Sequence, residues 1–302
     1  GDIQSFIQYV RSFNQPVSQI AQIFNILQSA MAAAERVFEF LDEKEEEPAP
    51  EQPASIEGIR GEVTFDHVRF GYTPDKVIIH DFSAHVLPGQ KIAIVGPTGA
   101  GKSTMVKLLM RFYDVSGGRI LIDGRDIRDF DRDDLRRLFG MVLQDTWLFE
   151  GSIAENIRYG RLDATDAEVE AAARAAHADH FIHTQPGGYQ MVVNEESSNV
   201  SQGQKQLLTI ARAILADPKI MILDEATSSV DTRTEARIQK GMDESMKGRT
   251  SFIIAHRLST IRNADLILVM RDGDIVEQGT HEELMAKGGF YKEIYQAQFE
   301  AA

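Results

Sequence analysis

Three kinds of hydrophobic patterning succeed one another along the chain. From residue 1 to about 41, Phe6, Ile7, Val10, Phe13, Val17, Ile20, Phe24, Leu27 and Met31 recur at helical spacing, beside a polar stripe of Gln4, Gln8, Gln15, Gln19 and Gln22. One long helix is expected there, kinked at Pro16. It lacks the apolar run of about 18 residues that marks a membrane span. The pattern suits an amphipathic helix in water, or a span whose glutamines face other helices or a wet cavity. Residues 42–58 break the pattern with Asp42, Glu43, Glu45, Glu46 and Glu47, then Pro48, Pro50 and Pro53, and read as a solvated linker.

From residue 59 to 302 the pattern is that of a mixed domain. Val63, Phe65 and Val68 alternate with polar residues, and Val77, Ile78 and Ile79 follow a turn at Pro74 and Asp75, which predicts an antiparallel β layer ahead of the next strand. The later apolar runs are continuous: Ile92 to Val95, Gly140 to Leu143, Ile220 to Leu223, Phe252 to Ala255 and Leu266 to Val269. Continuous runs are expected of parallel strands buried on both faces. Helix-like segments separate them, and residues 147–216 are mostly helical and read as an inserted subdomain. The fold class is α/β, a parallel core sheet with an antiparallel β subdomain and a helical subdomain, preceded by a long N-terminal helix.

Composition narrows this picture modestly. A chain of 302 residues has room for one large domain or two smaller ones. A net charge of −14, with no Lys/Arg-rich run, argues against a duplex nucleic-acid partner. Cysteine is absent, so there is no disulfide and no cysteine-based metal site, which suits the cytosol. The chain opens with Gly1 inside a helical pattern, as expected of a piece of a longer polypeptide.

The densest chemistry follows the first continuous apolar run. Gly96, Pro97, Thr98, Gly99, Ala100, Gly101, Lys102, Ser103 and Thr104 fit the P-loop pattern between an expected strand and an expected helix. Glycines let backbone N–H groups wrap a polyphosphate, and the helix N-terminus adds positive dipole. Lys102 can reach the β- and γ-phosphates of a nucleotide, and the Ser103 hydroxyl can ligate Mg²⁺. The run Ile220 to Leu223 ends in Asp224 and Glu225. In a parallel α/β sheet ligands sit at the carboxyl ends of strands. Asp224 therefore suits the Mg²⁺ site, and Glu225 suits the general base for a water attacking the γ-phosphate. Gln144 and His256 end two further strands, where Gln144 can meet Mg²⁺ or water and His256 the γ-phosphate. Ser201, in Asn199-Val200-Ser201-Gln202-Gly203-Gln204, is an expected N-cap for an amphipathic helix whose start is a second anion site.

Together these motifs make residues 61–299 resemble the nucleotide-binding domain of ATP-binding cassette transporters, a P-loop NTPase with a RecA-like core. Gly96 to Thr104 resembles Walker A, Ile220 to Glu225 Walker B with its catalytic glutamate, and Gln144 the Q-loop. Ser228-Ser229-Val230-Asp231 resembles the D-loop, His256 the switch histidine, and Tyr72 the adenine-stacking aromatic. Val200, Ser201, Gln202, Gly203 and Gln204 stand where the family has the signature Leu-Ser-Gly-Gly-Gln; Gln202 departs from it by placing a side chain where backbone approaches phosphate. The resemblance implies ATP and Mg²⁺ as ligands. It also implies a head-to-tail pairing with a second nucleotide-binding domain, each ATP lying between one Walker A and the other signature.

Residues 1–41, with Ala34-Glu35-Arg36-Val37-Phe38, resemble the end of an exporter half-subunit's last transmembrane helix and its cytoplasmic extension. The altered signature resembles one half of heterodimeric exporters, which implies a non-identical partner subunit. Trp147, Leu148 and Phe149 offer a seat for the coupling helices of a membrane domain. The expected function is ATP hydrolysis driving export across the cell membrane, with the domain on the cytoplasmic side. The alternatives are a DNA-repair or chromosome-organising ATPase and the separate ATPase subunit of an importer. The fused helix, the acidic charge and the lack of a coiled-coil insertion weigh against the former.

Overall fold

In the computed structural model, residues 1–43, 45–73, 75–143, 146–194, 198–224, 231–255 and 258–297 are described. They fall into two units, Gly1–Pro48 and Ala49–Ala302.

The first unit is helix α1, Asp2–Leu41. It continues through Pro16 as one helix, although proline removes a backbone donor there. The Asp42 N–H closes its end on the Phe38 carbonyl at 2.8 Å. None of its residues is buried, and Phe6, Phe13, Phe24 and Met31 stand exposed. Among the described residues no helix is long and apolar enough to cross a membrane.

The second unit begins with β1 (Val63–Phe70), β2 (Ile79–Val86), β3 (Lys91–Val95), α2 (Lys102–Leu109), β4 (Gly117–Ile122), β5 (Arg125–Asp126), α3 (Arg132–Arg137) and β6 (Phe139–Val142). Next come β7 (Gly151–Ser152), α4 (Ile153–Arg158), α5 (Asp166–Ala175), α6 (Asp179–Thr184), β8 (Val192–Val193) and α7 (Gln202–Ala216). It closes with β9 (Ile220–Asp224), α8 (Thr232–Met246), β10 (Thr250–Ile254), α9 (Leu258–Arg262), β11 (Leu266–Arg271), β12 (Asp274–Gly279), α10 (His281–Lys287) and α11 (Phe290–Tyr295).

The central sheet runs β12-β11-β3-β10-β9-β6. Its pairings are parallel except that of β11 with β12. The reason the core strands read as unbroken apolar runs is visible in β3. Ile92 and Ile94 join one hydrophobic cluster, whereas Ala93 and Val95 join the other, so both faces of the sheet are covered. The first cluster packs the sheet against α2 and the antiparallel layer; Phe65 meets Phe82 and Phe252 edge-on, with ring centroids 5.1 and 6.1 Å apart. The second packs it against α7 and the helices inserted between β6 and β9.

The antiparallel layer is ordered β2-β1-β4-β5. Two of its strands thus come after the P-loop helix, where the sequence pattern had placed the layer wholly before it. Val77 and Ile78 lie in the connection to β2, whose first residue is Ile79. Antiparallel β12, at the edge of the central sheet, also lay outside the expected strand set.

The far end of α2 is pinned by Arg111, which is buried and adopts φ +53°. Its guanidinium donates to the carbonyls of Ile127, Arg128 and Phe130 at 3.3–3.4 Å and to Asp114 at 2.8 Å. Arg132 donates to the Arg111 carbonyl at 3.0 Å and to Asp114 at 2.9 Å. This network fixes the helix that carries the P-loop lysine.

Candidate nucleotide site

The loop from Gly96 to Gly101 joins the carboxyl end of β3 to α2. Its tight course requires glycine. At Gly96, with φ +155°, a Cβ would lie 2.3 Å from the Met270 carbonyl oxygen on β11. Gly101 caps α2 at φ +99°, a left-handed conformation that side chains resist. Pro97, Thr98 and Gly99 are exposed, whereas Ala100 is buried beneath them. The tip of the loop is therefore exposed while Ala100 packs below.

Lys102 is the first residue of α2. Its Nζ donates to the carbonyls of Gly96 at 2.7 Å and Pro97 at 2.9 Å, so the amine bridges its own loop. Burial lowers the amine's pKa from its ordinary value, and the Asp224 carboxylate opposes that shift. Ser103 beside it is exposed, and Thr104 is buried.

Asp224 ends β9, which is separated from β3 by β10; Ile254 of β10 is in register with both Asp224 and Ile94. Its Oδ1 is buried and has no hydrogen-bond partner among the described residues. A carboxylate oxygen left so is costly unless a cation or donor arrives to meet it. Together with the exposed Ser103 hydroxyl, this is the all-oxygen donor chemistry that suits Mg²⁺. Among the described residues there is no group of three His, Cys, Asp or Glu that could hold a metal ion.

Tyr72 leans on the same loop. Its hydroxyl shares a hydrogen bond with Thr104 Oγ1 at 3.3 Å, and its half-exposed ring meets Phe70 and Tyr113 edge-on at 5.0 and 5.1 Å. The Lys107 ammonium lies 5.7 Å from the ring centroid. Tyr113 and Lys107 were not singled out in the sequence. Their signal was the aromatic pair Phe112 and Tyr113 immediately beyond the P-loop helix, which no periodicity links to Tyr72.

Ser201 caps α7, as its sequence suggested. Its Oγ accepts from Gln204 N at 3.3 Å, and Gln204 Oε1 accepts from Ser201 N at 2.9 Å. Gly203 is buried, whereas the Gln202 side chain reaches Thr146 Oγ1 with its amide Nε2 at 3.2 Å. Among the described residues no hydrogen bond or ion pair joins Ser201, Gln202, Gly203 or Gln204 to the loop from Gly96 to Thr104. Asp231 caps α8, accepting from the N–H groups of Thr234 at 3.0 Å and Arg233 at 3.1 Å. Those backbone bonds, Thr234's foremost, hold its carboxyl below the usual range. Gln144, Glu225, His256 and the D-loop residues Ser228, Ser229 and Val230 lie outside the described residues.

Past the Q-loop position the chain forms an aromatic surface. Trp147 is exposed, Leu148 is buried, and the rings of Trp147, Phe149 and Tyr159 cluster with centroids 5.7–6.4 Å apart. Arg212 of α7 lies over Tyr159 at 5.1 Å and donates to the Trp147 and Asn156 carbonyls at 3.2 and 2.9 Å.

The sequence and the fold were compared with known proteins. Residues 79–228 match the family model described as ABC transporter. The chain is 58% identical over 297 residues to a fatty acid ABC transporter ATP-binding/permease protein of Mycobacterium bovis, covering 98% of this chain and 47% of that protein. It is 44% identical over 297 residues to the beta-(1-->2)glucan export ATP-binding/permease protein of Brucella suis, covering 98% of this chain and 50% of the relative. The chain thus spans about half the length of the curated relatives it matches. Its fold superposes on a bacterial Atm1-family ABC exporter solved with ATP bound, with TM-score 0.81 and 44% identity over 91% of this chain and 48% of that one. The glycine cradle, the lysine seated in it and the Asp224 carboxylate two strands away thus lie in a domain that sequence and fold alike relate to ABC transporters, and the chain belongs to the ABC transporter family.

Proposed function

We propose that this chain is the ATP-binding and hydrolysing part of an ABC exporter half-subunit, working at the cytoplasmic face of a cell membrane. The observation that carries the proposal is the Lys102 amine folded onto its own loop carbonyls while the Asp224 Oδ1 stays buried and unpartnered. A polyphosphate and its cation would satisfy both groups. Lys102 exchanges the two carbonyls for β- and γ-phosphate oxygens, with the loop N–H groups wrapping the rest. Tyr72 stacks on the base. Ser103, Asp224 and Gln144 would hold Mg²⁺, which when bound neutralises developing charge on the phosphate oxygens. Glu225 accepts the proton of the attacking water, and His256 hydrogen-bonds the γ-phosphate.

The signature at Ser201 to Gln204 and the D-loop Asp231 serve a second nucleotide-binding domain, paired head to tail. ATP binding closes the pair and hydrolysis reopens it. Because Gln202 stands in this chain's own signature, the partner is a non-identical half-subunit with a glycine-rich signature and a defective catalytic glutamate. Residues 1–41 are the end of the last transmembrane helix and its cytoplasmic extension. Their exposed apolar residues are the kind of surface that other helices or lipid cover. Trp147, Phe149 and Tyr159 seat the coupling helices of the membrane domain.

The test uses the full-length subunit in lipid nanodiscs, alone and with candidate partners. Hydrolysis is expected to need a partner and to fall about 10²–10⁴-fold in Glu225→Gln while ATP binding persists. Turnover within a few-fold of the parent would remove Glu225 from its role. Full transport-coupled activity from this chain alone, with two equivalent sites, would remove the heterodimer.

A further inference from the structure

A cleft of about 230 Å³ opens between α5, α6 and α8, lined by Arg174, His177, Asp179, His180 and Arg237. None of the five lies in the P-loop, the Walker B strand or the signature segment. In a chain of net charge −14, four of these five side chains are able to carry positive charge.

The backbone fixes the cleft's shape. Gly241 on α8 meets the end of α5 so closely that a Cβ there would lie 2.8 Å from the Ala176 carbonyl oxygen. Arg237 lies four residues before Gly241 on α8, which places it on the same helix face. On the facing side the chain turns at His177, with φ +58°. The His177 N–H donates to the Arg174 carbonyl at 3.0 Å, and the Ala178 N–H to the Ala173 carbonyl at 2.8 Å. Ala173, Ala176 and Ala178 are buried. Backbone bonds and packing thus hold the turn that carries His177 and His180.

The cationic groups are poorly satisfied. Arg237 is half-buried, and among the described residues its guanidinium makes no hydrogen bond or ion pair, nor do the imidazoles of His177 and His180. Arg174 has a partner in Glu170 on its own helix, at 3.4 Å. Asp179, the carboxylate of the lining, is engaged elsewhere: it accepts from the Tyr189 hydroxyl at 2.7 Å and lies 3.3 Å from His183 Nδ1. A guanidinium is a planar fork of donors matched to phosphate oxygens, and even a neutral imidazole offers one N–H. The cleft is smaller than the roughly 300–1,000 Å³ of sites for drug-sized ligands, which suits a compact anion.

We infer that this cleft is a binding site for a phosphate group, held by the guanidiniums of Arg237 and Arg174 with N–H donation from His177 and His180. Bound there, the anion bridges α8 to the turn between α5 and α6. Inorganic phosphate and a small phosphate monoester share the chemistry the cleft recognises.

The test uses the full-length subunit in neutral-lipid nanodiscs, with its P-loop filled by a non-hydrolysable MgATP analogue so that the probe is kept out of it. Modification of each histidine by diethyl pyrocarbonate is timed by mass spectrometry at rising inorganic phosphate or methyl phosphate, with ionic strength held constant by chloride. His80 on β2, exposed and outside the cleft, gives the reference rate. Phosphate should slow modification of His177 and His180 saturably while His80 keeps its rate. Arg237→Gln should raise the half-protecting concentration about ten- to 150-fold, the worth of a charge-assisted hydrogen bond, and Arg174→Gln on α5 should raise it as well. Arg237→Lys keeps the charge but loses the fork, so its half-protecting concentration should fall between those of the parent and Arg237→Gln. Protection by both probes supports a monoester as the occupant, and protection by inorganic phosphate alone supports the free ion. Unchanged rates at His177 and His180, a slowing that His80 shares, or protection that survives both arginine substitutions would overturn the site.

Discussion

Replacing Tyr113 by alanine should weaken ATP binding without touching the phosphate cradle. Tyr113 stands edge-on to Tyr72 at 5.1 Å and tilted against Phe70 at 5.6 Å. An aromatic pair of this geometry is worth about 0.5–1.5 kcal/mol beyond its buried area. If that energy holds the Tyr72 ring in its stacking orientation, its loss weakens ATP by about two- to twelvefold. Tyr72→Ala removes the platform itself, and base stacking of about 1–3 kcal/mol puts its effect at about 5- to 150-fold, an upper bound for Tyr113. Tyr72→Phe keeps the ring and loses only the 3.3 Å contact with Thr104, which is long for a hydroxyl pair, so its affinity should stay within about threefold of the parent. The assay is titration calorimetry with ATP, GTP and inorganic tripolyphosphate in the Glu225→Gln background. The two nucleotides should weaken together, because stacking tolerates base identity, while tripolyphosphate stays unchanged. Unaltered ATP affinity in Tyr113→Ala beside a clear loss in Tyr72→Ala would refute the support role. A parallel loss for tripolyphosphate would show that the substitution had disturbed the loop.

Three further outcomes follow from the same geometry. Asp224→Asn should cut hydrolysis at least about 100-fold and abolish the tightening of ATP binding by Mg²⁺, measured as the ratio of affinities with and without the metal; an unchanged ratio would place the cation elsewhere. Gly96→Ala, with φ +155° and the Met270 oxygen 2.3 Å from the new Cβ, carries about 1–3 kcal/mol of backbone strain alone. It should lower both the melting temperature and ATP affinity, and a melting temperature equal to the parent's would contradict the close approach. At Asp114, burial raises the carboxyl's pKa, but the hydrogen bonds and charges of Arg111 and Arg132 outweigh it, so the net pKa is lowered. A lowered acid stabilises the fold above its unfolded value of about 3.9, and that contribution is lost as pH falls through the folded value. Asp114→Asn should cost about 1 kcal/mol in urea unfolding at pH 7, discounted for its partial exposure, with the gap closing below about pH 4. A gap independent of pH would assign the cost to packing.

What the sequence reveals depends on how local each feature is. The P-loop is legible residue by residue because glycine, lysine and hydroxyl sit at fixed spacing within one turn. The core strands are legible because burial on both faces fills them mostly with apolar residues, although β10 opens with the buried Thr250 and Ser251. Strand β4 begins with Gly117 and Gly118, and β12 mixes Ile275 and Val276 with Asp274, Glu277 and Gln278, so neither shows a continuous or cleanly alternating run. Glu277 shows why the mixing is tolerated: it is buried, and its carboxylate accepts from the Tyr291 N–H at 2.8 Å. Helix α1 runs as one 40-residue helix with Pro16 inside it. The links that complete the site, Tyr113 to Tyr72 and Gln202 to Thr146, join residues far apart in the chain whose spacing follows no helical or strand period. Only the folded arrangement of α2, α7 and the segment after β6 brings them together.

The proposed head-to-tail pairing requires this chain's P-loop to close on ATP against another chain's signature. These 302 residues contain no cysteine, and with any cysteine elsewhere in the assembly replaced, disulfide trapping tests this pairing. Thr98→Cys in this subunit is paired with a cysteine at the first signature residue of its partner, and in the reciprocal arrangement Val200→Cys is paired with one in the partner's P-loop. Both pairs are oxidised in the full-length assembly with and without MgATP. Cross-links between the two chains should form with ATP, be weak without it, and disappear for the first pair when Lys102→Ala is added. Cross-linking indifferent to nucleotide, or none in an assembly that hydrolyses ATP, would rule out the head-to-tail pairing.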